Sequence, residues 1–374
     1  MKKDMSLEGL RWSCDSGSAL YDAPPNGRSR TGWGGQIEIF DFLRFPLICI
    51  VVLIHTLQAD EHVEFGILYH DALYFFQESI GRSAVPVFFV ISGYMFFYKV
   101  AGLTTEIYKS KLKRRVKSLL IPYLIWNALA LLECCIKHLP VLAGLFPNIV
   151  NQPIDFFYCI KSFWCTPDGT CPIYYPFWYI RDLMMCVLLT PVIYFSIKKF
   201  KLLWLLLLFA GMLFKVEMIP GLGFGSLFYF SAGCYWAILK AEKTPNFYAL
   251  MVISLCWIPF AVLDTMTKDY YFHLLSNIFG IGCLYFVGLV AVRKFSRKIS
   301  RDLIQSVFFI FATHAFFVGY ISKGIFALLR PSSEIVCFLL QFVIMALTII
   351  FSREIYIIIN RYAPKLSKVL TGKR

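Results

Sequence analysis

The sequence predicts an all-α, polytopic transmembrane helical bundle of about ten spans with both termini cytoplasmic. Three observations carry that expectation. Hydrophobic residues make up 58% of the 374-residue chain and charged residues only 16%, a composition that needs lipid as solvent. The apolar residues come in blocks of about 20, the length at which a helix crosses the hydrocarbon core, and not as amphipathic stripes. Lys and Arg gather on alternate loops, as they do at the cytoplasmic ends of spans.

Residues 1–37 are polar, with Gly, Ser, Pro and Arg scattered among them and no apolar run, and read as a disordered cytoplasmic tail. The first apolar block starts too late for a cleavable signal peptide and reads as a retained signal anchor. Blocks follow at 38–57, 76–98, 118–138, 176–197, 202–218, 222–239, 246–264, 271–292, 303–322 and 333–358. The fifth is the weakest, because Lys215 follows Leu202 by only thirteen residues; a stretch that short is tilted, broken or partly re-entrant. No repeat of fixed period is visible. Residues 38–360 therefore read as one membrane domain and 361–374 as a basic cytoplasmic tail.

Charge sets the orientation. On this assignment 27 Lys and Arg lie on the side of the termini, and six lie opposite: Lys137, Lys161, Lys215, Lys268, Lys323 and Arg330. The first outer loop, 58–75, has no Lys or Arg but carries Asp60, Glu61, Glu64 and Asp71. A net charge of +14 is then mostly topology. With no nucleic-acid-binding motif beside it, it points to an integral plasma (inner) membrane protein among lipids and not to a nucleic-acid partner.

Most of the twelve cysteines sit in apolar blocks, where Cys packs as a small hydrophobe. Cys165 and Cys171 differ, bracketing TPDGT in an outer loop; a disulfide and two free thiols are both open. No His or second Cys pair lies near them, so no metal site is expected.

Ionisable residues within spans are costly and mark cavities or partners. Arg44 lies near the inner end of the first span and His55 near its outer end. Eleven residues put them about 16 Å apart along the axis and on nearly the same face. An imidazole suits a general base, and a guanidinium suits phosphate; equally, His55 marks the membrane edge and Arg44 snorkels inward. Glu78, Arg82, Glu133, Arg181, Asp182, Asp264 and His314 fall in the outer half. They line a shared cavity or form local pairs, and Arg181, Asp182, His314 and Glu133 are the substrate-binding candidates. Lys109 to Lys117 form a cytoplasmic basic segment suited to anionic headgroups or to a phosphorylated donor. Trp164, Tyr174, Tyr175 and Trp178 read as an interfacial aromatic belt or as sugar-stacking platforms. The phosphate loop, the H-E-x-x-H helix and the G-x-S-x-G elbow are absent from the sequence, which removes the usual ATPase, zincin and hydrolase readings.

Five motifs in order resemble the acyltransferase-3 family of integral membrane O-acyltransferases. They are R-x10-H in FDFLRFPLICIVVLIHT, VPVFFVISGYMFF at 85–97, KRRVKSLLIPYLIW at 113–126, FWYIRDL at 177–183 and FATHAFF at 311–317. The resemblance implies a cytoplasmic acyl-CoA donor, usually acetyl-CoA, with no permanently bound cofactor, and an acceptor hydroxyl on a surface or lipid-linked carbohydrate. His55 becomes the catalytic histidine and Arg44 its partner. Arg114, Arg115 and Lys117 occupy the segment expected to hold the CoA phosphates, with Lys117 standing where R-x-x-R is the common form. Ser92 and Gly93 would let the thin CoA arm pass closely; Ser92 as an acylated nucleophile is the lesser reading, given its depth. His55 acts as general base or as acyl carrier. A secondary transporter or flippase is the alternative, its buried ions lining a path, and a non-catalytic scaffold the third reading.

Overall fold

The computed structural model describes residues 33–56, 66–139, 154–166, 169, 171–216, 218–239, 246–295 and 299–372. Residues 1–32 of the expected N-terminal tail, residues 58–65 of the expected first outer loop, Pro167, Asp168 and Thr170 between the two loop cysteines, and Lys240, Lys243, Arg297 and Lys298 among the cations expected on the inner side lie outside the described residues.

Each apolar block is helical, and the described residues contain no strand. Helix α1 is Trp33–Thr56, so the first helix starts inside the stretch read as a tail. Two long helices follow, α2 over Ile67–Phe97 and α3 over Thr105–Lys137. Each carries one π-helical stretch, Phe75–Gly81 in α2 and Val116–Leu120 in α3. After the short α4 (Phe156–Ser162) come α5 (Tyr175–Leu188) and α6 (Thr190–Phe200), bent by 61° at Leu189. Next are α7 (Leu202–Leu213), α8 (Phe224–Ile238), α9 (Phe247–Thr267) and α10 (Tyr270–Arg293). The long pair α11 (Arg301–Leu329) and α12 (Glu334–Tyr362) precedes a terminal α13 (Pro364–Leu370).

The crossings are less uniform than ten equal blocks. Among the described residues, six helices are long and apolar enough to cross a membrane (α2, α3 and α9 to α12), or seven if the bent α5–α6 pair is one crossing. Helices α7 and α8 have 12 and 15 residues, about 18 and 22 Å at 1.5 Å per residue, short of the roughly 30 Å hydrocarbon core. Lys201 stops α6 with φ of 49°, and Lys215 just past α7 has φ of 51°. At both positions a cation with positive φ sits where the terminal carbonyls of the preceding helix carry partial negative charge.

Helix α1 is the hub. It packs against α2, α10, α11 and α12, and Ile39, Leu47, Ile48 and Val52 along it are fully buried. Pro46 within α1 and Pro86 within α2 are tolerated because neighbouring helices, not water, surround the backbone they disturb. Helices α2 and α8 touch backbone to backbone: a Cβ on Gly93 would lie 2.1 Å from the Phe230 carbonyl oxygen, and one on Gly233 would lie 2.0 Å from that of Val90. The space left open at Gly93 is therefore filled by α8, which corrects the expectation that a ligand arm passes there.

The C-terminal stretch does not hang free. Trp126 of α3 donates through Nε1 to the Leu370 carbonyl at 3.1 Å, and Ser367, Leu370 and Thr371 are buried. This docks α13 against α3.

Candidate functional site

The C-terminal end of α1 brings His55 against two residues from distant parts of the chain. Its Nδ1 lies 3.2 Å from the Tyr175 hydroxyl oxygen, and the two rings meet edge to face at 5.2 Å. On another side, the His314 ring of α11 lies 5.1 Å away, tilted by 32°. His314 is fully buried. Its Nδ1 sits 2.6 Å from the Phe311 carbonyl, and because a carbonyl only accepts, that nitrogen carries the hydrogen. His314 Nε2 is left with a lone pair, buried and without a partner among the described residues.

Tyr175 is held in place by its neighbours. The Tyr174 ring stacks on Phe316 at 4.5 Å, its hydroxyl donates to the Ala312 carbonyl at 2.7 Å, and its N–H donates to Asn127 Oδ1 at 3.1 Å. On the other flank, Phe177 is fully buried and stacks on Phe311 at 5.5 Å. Both flanks of Tyr175 thus grip the turns of α11 that carry His314.

Toward the other end of α1 lie Arg44, Arg115 and Ser92. Arg44 pairs with Asp41 one turn earlier at 2.9 Å. Arg115 lies within electrostatic reach of Arg44, Arg114 and Tyr179, and Lys111 lies within reach of Arg114 and Arg115. Arg114 and Lys117 are exposed and Arg115 is partly buried. Lys111, Arg114, Arg115 and Lys117 make no ion pair with a described residue, so this end of the bundle presents concentrated positive charge. Ser92 Oγ lies 3.4 Å from Tyr179 Oη. The Tyr179 ring packs edge-on against Phe311 at 6.0 Å, and Phe311 lies 5.9 Å from His314. A wall of aromatic rings therefore runs from the cationic end to the two histidines.

Other residues singled out in the sequence lie in separate groups. Arg181 and Asp182 are buried and paired at 3.0 Å. Arg181 donates to the Trp164 carbonyl at 2.7 Å, and Asp182 accepts from Ser226 Oγ at 2.8 Å. The Trp164 indole lies over Arg181 and donates to the Pro220 carbonyl at 3.0 Å. Gly221 has φ of +94°, and a Cβ there would lie 2.6 Å from Trp164. These contacts tie the segment before α5 to α5, to the turn before α8 and to α8 itself. Glu133 pairs with Lys137 at 2.7 Å and accepts from Tyr320 at 3.1 Å. Glu78 and Arg82 form an ion pair on α2, with Arg82 within electrostatic reach of His55. Cys165 and Cys171 are free thiols, Cys165 donating to the Gly169 carbonyl at 2.8 Å.

The surroundings of three features were not legible in the sequence. Tyr175 was read as one of several interfacial or sugar-stacking aromatics, and Tyr179 only as part of a motif; both contacts depend on chain folding back over more than 80 residues. The third is a polar network around fully buried Asp264, which accepts from Ser79 at 2.9 Å and Tyr74 at 3.3 Å and faces His273 Nδ1 at 3.2 Å. His273 Nε2 meets the Asn277 side-chain amide at 2.9 Å, and Asn277 accepts from Ser83 at 3.2 Å. Among the described residues, no group of three or more His, Cys, Asp or Glu is placed to hold a metal ion.

Comparisons with known proteins bear on this arrangement. Residues 37–353 match the family model described as an acyltransferase domain, a span that includes both histidines and the basic segment. The succinoglycan biosynthesis protein ExoH of Rhizobium meliloti (strain 1021) is 26% identical over 321 residues, covering 80% of this chain and 81% of that protein. No solved structure matches the chain.

Proposed function

Because the chain belongs to the acyltransferase-3 family of membrane O-acyltransferases, we propose that it moves an acyl group, acetyl in the first instance, from cytoplasmic acyl-CoA to a carbohydrate hydroxyl. The acceptor is a surface or lipid-linked glycan presented at the outer face of the inner membrane. Both termini are cytoplasmic in this reading, which the asymmetry of 27 against six cations supports.

The single observation that carries the reading is the placement of His55. Its ring is partly exposed, with Nδ1 engaged by Tyr175 and Nε2 without a hydrogen bond to any described residue. About 16 Å inward on nearly the same face of α1 is Arg44, beside the unpaired cations of α3. CoA phosphates are held by Arg115, Arg114, Lys117 and Lys111, charge-assisted contacts in a site that neutralises polyanions. The pantetheine arm runs along Tyr179, Ser92 and Phe311. His55 takes the proton of the acceptor hydroxyl as its oxygen attacks the thioester carbonyl. The C–S bond breaks, and the proton passes to the departing CoA thiolate, so the products are an ester and CoA thiol. His314 Nε2, able only to accept, receives a hydrogen bond from a hydroxyl of the bound acceptor.

The test is acetyl-CoA turnover by purified protein in lipid discs, wild type beside His55→Ala, with binding of a non-hydrolysable CoA analogue followed in both. Turnover lost with binding retained supports the reading. Well-folded wild type that neither binds nor turns over a series of acyl-CoA donors sinks it.

A further inference from the structure

We propose that Tyr175 is the positioning residue for the His55 imidazole: its phenolic oxygen accepts the Nδ1 hydrogen, so that the unprotonated Nε2 faces the acceptor hydroxyl. The inference rests on the reading of His55 as general base and adds the residue that selects its working tautomer.

A neutral imidazole carries one hydrogen on one of two nitrogens, and the hydrogen bond made by one nitrogen decides what the other can do. If Tyr175 donates to Nδ1, the hydrogen sits on Nε2 and His55 cannot take a proton there. If Tyr175 accepts from Nδ1, Nε2 is a base. A phenol does either, so the surroundings decide. Tyr175 is 39% exposed, and no described residue other than His55 shares its hydroxyl, so its own hydrogen is free to point to water while the oxygen lone pair faces His55. The oxygen of Tyr175 is then the acceptor that holds the hydrogen at Nδ1. As His55 becomes imidazolium, both nitrogens are donors, and the same oxygen remains a partner for Nδ1.

The frame around Tyr175 is what such a role requires. A positioned base keeps its geometry only when the group that orients it is itself fixed. Tyr174 is tied to Ala312, Phe316 and Asn127, and Phe177 to Phe311. The orienting hydroxyl is therefore fixed relative to the same helix that carries His314. A tyrosine serving only as an interfacial anchor needs none of these attachments.

The test is Tyr175→Phe, which keeps the ring against His55 and removes the oxygen. In lipid discs, kcat is expected to fall about 10- to 100-fold, as when the orienting partner of a histidine is lost, with donor and acceptor KM within about twofold and the melting temperature unchanged. Independently of activity, 15N spectra of histidine-labelled protein report the tautomer, the His55 signals being those missing from His55→Ala. Wild type is expected to show a protonated Nδ1 and a bare Nε2, and Tyr175→Phe to shift hydrogen onto Nε2. Full kcat in Tyr175→Phe, or a wild-type His55 with its hydrogen on Nε2, overturns the proposal. Full turnover by His55→Ala would instead overturn the underlying reading of His55, and the nitrogen spectra keep the two failures apart.

Discussion

His55 and His314 face each other with ring centroids 5.1 Å apart and planes tilted by 32°, one at the end of the central helix and the other in the middle of α11. The two are not equivalent. His314 is fully buried with its tautomer set by the Phe311 carbonyl, whereas His55 is partly exposed and bonded to a group that can donate or accept. One is a fixed acceptor, and the other is the nitrogen that can change state.

That asymmetry predicts distinct losses. His314→Phe keeps the ring in the aromatic wall but removes the Nε2 lone pair. It is expected to lower kcat/KM for the acceptor about tenfold, the worth of one hydrogen bond of about 1 to 1.5 kcal/mol, and to leave CoA-analogue affinity unchanged. Steady-state kinetics with acceptor and donor varied separately check this. A loss confined to donor KM would remove His314 from the acceptor side.

The basic segment predicts the converse. Arg115 lies partly buried beside Arg44, while Arg114 and Lys117 are exposed. Arg115→Ala is expected to weaken CoA-analogue binding about tenfold or more, because a charge-assisted contact shielded from solvent is worth about 1.5 to 3 kcal/mol. Lys117→Ala should cost less, and binding to wild type should weaken as salt rises. Titration at two ionic strengths decides; equal, salt-independent losses would remove phosphate recognition from this segment.

The buried pair of Arg181 and Asp182 predicts a loss of stability. Removing Asp182 takes from the buried Arg181 guanidinium the carboxylate it meets at 3.0 Å, and breaking a buried pair by removing one partner costs about 3 to 5 kcal/mol. Asp182→Ala should lower the melting temperature of the disc-embedded protein and its yield, while the folded fraction keeps its acceptor KM. A raised acceptor KM at unchanged melting temperature would return the pair to the substrate site.

Much of this site was legible in the sequence where one element carried the information. Arg44 and His55 share a helix, and the helical repeat alone places them on one face. The basic stretch before Ser118 declared itself by composition. Tyr175 did not, because its position depends on Asn127, Ala312 and Phe316, residues on two other helices that no local pattern connects. The adjacent charges of Arg181 and Asp182 allowed a local pair or a cavity lining, and the contacts of Trp164 and Ser226 with them come from parts of the chain that no local pattern connects. Hydropathy marked the block of α7 but not where its helix ends, since the chain leaves the helix after Leu213 and Lys215 turns to positive φ, which an apolar window does not register.

The close approach of α2 and α8 at Gly93 and Gly233 also bears on how Ser92 is presented, and it gives the last prediction. Gly93 and Gly233 let α2 and α8 meet, each missing Cβ occupying space that the opposite carbonyl fills at about 2 Å. Gly93→Ala must push the helices apart, and because backbone atoms block it no side-chain rotation relieves the clash; overpacking of this kind costs about 1 to 3 kcal/mol or more. Since Ser92 is the next residue and meets Tyr179 at 3.4 Å, the same displacement should raise donor KM. Gly319→Ala is the control, since a Cβ there meets nothing within 4 Å and alanine is the better helix former. Melting temperature and donor KM measured on both variants are expected to move together in Gly93→Ala and in neither direction in Gly319→Ala. A Gly93→Ala protein with native melting temperature and native donor KM would show that the α2–α8 crossing does not position the donor side.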